Sequence, residues 1–138
     1  MRAVSMKSMV VFLALVFSAS VFAQGPKKDE QYINKVKSCF INTLNSDYNS
    51  IVESSIFITM DLKSRYPSEN YDELIDKLNE LAVEGKTPTI RYKAQLASLY
   101  FNYQNLFADI KFTDKENPEQ YFQQISEKLG QRPVVAVN

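Results

Sequence analysis

The chain repeats its own pattern at an interval of 39 residues, and an interval of that length leaves few folds open. Residues 49–60 lie over residues 88–99, with apolar or small side chains matched at Ile51/Ile90, Ser55/Ala94, Phe57/Leu96 and Met60/Leu99. Upstream, the same interval pairs Tyr32 with Tyr71, Val36 with Ile75, Cys39 with Leu78 and Leu44 with Val83. The repeating unit therefore holds two helical patterns. A two-helix unit buries its apolar face only by stacking on its neighbours, so the expectation is a short stack of antiparallel helical hairpins. Such a scaffold presents a surface and needs no chemistry of its own.

The start and stop signals fit helices joined by tight turns. Apolar spacing at Tyr32, Ile33, Val36, Phe40 and Leu44 predicts a first helix over about residues 30–45. Ser46-Asp47-Tyr48-Asn49 is a turn cluster, and Ser50 with Glu53 has the spacing of a capping box opening a second helix that runs to Arg65 before Pro67. Ile51, Val52, Ile56, Phe57 and Met60 are its apolar set. Tyr71, Leu74, Ile75, Leu78, Leu81 and Ala82 give a third stripe, closed by Gly85 where a left-handed cap is expected. Thr87-Pro88 opens a fourth helix through Tyr92, Leu96, Leu99 and Tyr103. Residues 104–116 are irregular, but Leu106, Phe107, Ile110 and Phe112 make them pack. Asn117-Pro118-Glu119-Gln120 starts a last helix through Tyr121, Phe122, Ile125 and Leu129, stopped by Gly130 and Pro133. The fold expected is all-α, with five helices over residues 30–130. A bundle around one shared core is the alternative to the stack.

The first 23 residues read as a cleavable export signal. Arg2 and Lys7 give a positive start, residues 9–17 a short apolar core, and Val21-Phe22-Ala23 a cleavage site before Gln24. The apolar run is far below the ~20 residues of a spanning helix. No cysteine lies near the cleavage point to take a lipid. A periplasmic or secreted chain is expected, with a polar leader at 24–29 and an apolar tail at 131–138 that docks or frays. Without Arg2 and Lys7 the chain keeps 14 basic and all 16 acidic residues, near −2, which gives nucleic acid or anionic lipid no electrostatic reason to bind. Its single cysteine, Cys39, cannot close an internal disulfide, and its apolar position three residues after Val36 suggests a small buried hydrophobe.

The segments 46–52 and 85–94, a short polar turn with Asp or Pro followed by an apolar residue and an arginine, resemble the loop and following helix of HEAT-type, armadillo-like repeats. The likeness covers about Tyr32 to Tyr103. Arg91 matches the family's arginine, whereas Val52 stands at the equivalent place in the earlier unit, and Lys86 stands where Asp47 does. The resemblance implies a right-handed helical stack used to bind other proteins, with no catalytic residue.

Histidine is absent, which removes the commonest general base and the commonest transition-metal ligand. With one cysteine and no glycine-rich phosphate loop, thiolate metal sites and nucleotide cradles go as well. No cofactor, metal or enzymatic activity is expected. Two candidate partner-binding sets remain. Asp72, Glu73, Asp76 and Glu80 line one side of the third helix at one-turn spacing, which suits a hard cation or a partner, although charge on an amphipathic helix needs no further cause. Tyr92, Tyr100, Phe101, Tyr103, Phe107 and Phe112 crowd the fourth helix and its continuation. Tyr100 and Phe101 cannot both sit centrally on one stripe, so one of them is expected to be exposed.

The function expected is a non-enzymatic scaffold that binds a protein or envelope component through Tyr100, Phe101, Asp72, Asp76 and Glu80. Self-association is one way to cover the terminal faces. The alternative is a soluble carrier enclosing an apolar ligand among Phe40, Phe57, Met60, Leu96 and Leu99.

Overall fold

The computed structural model describes residues 29–130 and is all-helical there. The signal, the leader up to residue 28 and the tail lie outside the described residues. The chain divides into two compact units, 1–38 and 39–138. In the first unit residues 29–38 are helical, with Ile33 buried and the Ser38 hydroxyl donating to the Asn34 carbonyl at 3.1 Å. This helix, α1, covers 29–44. The second unit then holds α2 (Asn49–Arg65), α3 (Asp72–Glu84), α4 (Pro88–Asn102), a 3-10 turn (Gln104–Phe107) and α5 (Glu119–Gly130).

α4 is the hub. It packs most extensively on α3, then on α2, then on α5 and the 3-10 turn, while α2 and α3, consecutive in the chain, share little contact. α3 and α4 are antiparallel: Tyr71 meets Phe101 edge-on at 5.4 Å at one end, Ser98 donates to Asn79 Oδ1 at 2.5 Å between, and Gly85 abuts Ile90 at the other. α2 and α4 are parallel. Lys86 donates to Asp47 Oδ1 at 3.0 Å just before the two helices, Lys93 donates to Glu53 Oε2 at 3.0 Å near their starts, and Ser64 and Tyr100 line one hollow near their ends.

The buried positions of α2 and α4 coincide at a spacing of 38 rather than 39: Val52/Ile90, Ser55/Lys93, Ile56/Ala94, Thr59/Ala97, Met60/Ser98, Leu62/Tyr100 and Lys63/Phe101. Phe57, Ile58 and Asp61 break the match, opposite exposed Gln95, buried Leu96 and half-buried Leu99. One expectation is corrected at the first helix. At 39, Cys39 matches buried Leu78, but at 38 Phe40 takes that place, and Cys39 is exposed rather than buried. In helical rotation Ile33, Phe40 and Leu44 share one side, and Cys39 lies about 120° from Ile33.

Two helix ends also differ from expectation. The Ser50/Glu53 capping box does not form: Tyr48 is the N-cap without a side-chain hydrogen bond, and Glu53 is drawn instead to Lys93. Gly85 is not left-handed, with φ −53° and ψ 142°. It is needed for space, since a Cβ there would lie 2.6 Å from the Leu81 carbonyl oxygen and 2.8 Å from Ile90 Cγ2. Thr87 is the cap its sequence implies, accepting from the Ile90 amide at 3.1 Å with Pro88 in the first turn.

Aromatic rings fill the interior of the second unit. Phe57 stacks on Tyr121 at 5.6 Å, Tyr121 on Phe112 at 4.9 Å, and Phe112 meets Tyr100 edge-on at 5.5 Å. The irregular stretch packs as expected, burying Phe107 and Ile110, and the Tyr121 hydroxyl accepts from the Asp114 amide at 2.7 Å. Among the described residues every buried side-chain nitrogen or oxygen has a hydrogen-bond partner.

Candidate functional site

The aromatic pair is not where a single stripe would place it. Tyr100 and Phe101 are both buried, at 6% and 5% exposure, so neither is the exposed ring expected. α4 is covered on two sides, by α3 around Phe101 and by the Phe107 and Phe112 rings around Tyr100, so adjacent residues about 100° apart can both be interior. The exposed rings are Tyr92 and Tyr103, which the spacing assigns to the core.

Asp72, Glu73, Asp76 and Glu80 lie exposed on α3. Glu80 is occupied by Lys77 at 2.8 Å, and Asp72 accepts from the Asn70 side-chain amide at 3.0 Å. Among the described residues no group of three or more His, Cys, Asp or Glu side chains is placed to hold a metal ion. The acidic face is thus exposed, with local pairings at Asp72 and Glu80.

Two buried lysines define sites that the sequence pattern hides. Lys93, 7% exposed, joins three helices: its ammonium donates to Glu53 of α2 and, by a very short bond, to Glu119 of α5, and it lies 5.3 Å from the Phe122 ring centre. Burial pulls its pKa down, but the hydrogen bonds and charges of Glu119 and Glu53 outweigh that and hold it above the ordinary lysine value. The group is a charged cross-tie.

Lys63, 8% exposed, has no such compensation. Its ammonium donates to the Pro67 carbonyl at 3.0 Å and lies 4.7 Å from the Tyr71 ring centre, and burial lowers its pKa. It lines a hollow of about 220 Å³ with Ser64, Tyr100, Gln104, Asn105 and Lys111. Beside this hollow the two parallel helices end alike. Tyr66 caps α2 with φ −126° and ψ 65°, Tyr103 caps α4 with φ −124° and ψ 51°, and each amide donates back to the fourth residue before it. Both rings are exposed, at 39% and 49%. The periodicity of apolar residues hides this surface because it is built from cap residues, one buried lysine, Lys63, and one exposed lysine of the irregular stretch, Lys111.

The site is a polar and aromatic surface at helix ends, and the chain that carries it is a small all-helical domain of five helices among the described residues. No family model, no curated protein and no solved structure matches this chain.

Proposed function

We propose that this is an exported, non-enzymatic scaffold, a short HEAT-like stack that binds a protein or envelope component at the shared C-terminal ends of α2 and α4. One observation carries the reading: α2 runs parallel to α4 and packs on it, with the turns before them tied by Lys86 and Asp47, 39 residues apart, an arrangement that neighbouring repeats would share. The matched burial at 38 residues and the alike caps at Tyr66 and Tyr103 support it. Exposed tyrosines at such an edge are the side chains that anchor partners, offering wide contact at low entropic cost.

The test is capture from the envelope by the full chain, compared with a Tyr66→Ser/Tyr103→Ser double variant. A partner retained by the parent and lost by the variant, at equal melting temperature, is the expected result. Equal capture by both would remove the surface from the reading, and release of a bound apolar molecule on delipidation would favour a carrier.

A further inference from the structure

The hollow between the ends of α2 and α4 and the following 3-10 turn is lined by two lysines, Lys63 and Lys111, and by no acidic residue. By contrast, the hollow beside α5 is lined by Glu119 and Glu127 without a cation, and the one under the Asp47 turn mixes both signs. Each ammonium carries three donors. Lys63 spends one on the Pro67 carbonyl and Lys111 one on the Ala108 carbonyl at 3.1 Å; among the described residues no carboxylate forms an ion pair with Lys63, while the hydrogen bond of Lys128 and the charge of Lys111 help hold the Asp109 carboxyl below its ordinary range. A nine-tenths-buried cation left without a counter-charge is a cost that the fold does not need.

We propose that this hollow binds a carboxylate carrying a short apolar body, with the charge held between Lys63 and Lys111. Ser64, Gln104 and Asn105 offer neutral polar contacts, while Pro67, Phe107 and Ile110 give the apolar part a wall. A volume of about 220 Å³ is the share of about seven waters, enough for a small acid or one terminal residue of a peptide. A phosphate is the poorer fit. The hollow lacks the arginine forks and helix-start amides that phosphates use, and the helix C-termini beside it oppose any anion, a dianion more than the single charge of a carboxylate that two lysines can offset. An anion here would also offset the burial that lowers the Lys63 pKa.

The inference does not require the helices to be repeats. Its test is an NMR titration of the isotope-labelled full chain with sodium hexanoate, N-acetyl-leucine, neutral hexanamide and sulfate at matched ionic strength. Saturable shifts of the Gln104 and Asn105 side-chain amides with either acid, absent with hexanamide and sulfate, are expected. Tighter binding of hexanoate identifies a free acid as the source, and tighter binding of N-acetyl-leucine a peptide terminus. Lys63→Met and Lys111→Gln should each weaken the acid about tenfold at unchanged helical content. The proposal is overturned if hexanamide or sulfate matches the acids, or if both variants bind as the parent does.

Discussion

Gly85 and the two buried lysines show how single side chains are constrained in this domain. Gly85→Ala places a methyl group against the Leu81 carbonyl and Ile90, and a loss of about 1–3 kcal/mol in chemical denaturation is expected. The lysines act in opposite directions with pH. Lys93 has its folded pKa raised above 10.5, so its contribution is fully present below that value and disappears as pH rises through the folded pKa. Lys63 has its pKa lowered, so the unfolded chain binds its proton more tightly, and stability gains from this group as pH rises from the folded value towards 10.5. At neutral pH, Lys93→Met should destabilise by about 1–3 kcal/mol, less than for a fully buried pair because the Glu119 side chain is 66% exposed to water. Lys63→Met should stabilise, by about 0.5–2 kcal/mol. Urea titrations of both variants at neutral and alkaline pH check the signs. A periodicity reading assigns Lys63 and Lys93 to solvent, because a lysine declares its burial only through the partner it finds.

At the scale of the helix, the legible features are those fixed by neighbours in sequence. The α4 start follows from Thr87-Pro88, and the α5 start from Asn117-Pro118 directly before Glu119. The α2 start does not follow, since Glu53 has a stronger partner in Lys93 than a backbone amide at its own N-terminus. Hence Thr87→Ala should cost about 1 kcal/mol, while Ser50→Ala should fall within about 0.5 kcal/mol of the parent. Thermal melts of the two variants distinguish a formed cap from an unformed one. The stripe of α4 shows the other limit. A single-face pattern holds for a helix covered on one side, and it fails where cover comes from two sides, so that Tyr100 and Phe101 are both buried.

Over the whole molecule, the helical class and the five elements are readable because turn residues punctuate the chain at nearly every junction. The hollow at the ends of α2 and α4 is not, because it gathers Lys63, Tyr100, Gln104 and Lys111 from positions that no single motif links. As the hub, α4 should carry the slowest amide hydrogen exchange in the second unit, ahead of α5 at its edge. Exchange measured by mass spectrometry after peptide digestion checks this order.

The sparse contact between α2 and α3 bears on the order in which the polypeptide can become stable as it is synthesised. The contacts that each of these helices makes with α4 form only once the chain has been extended through Asn102. A fragment ending at residue 87 should show little helix by circular dichroism, and its recovery should require the missing stretch supplied as a separate peptide.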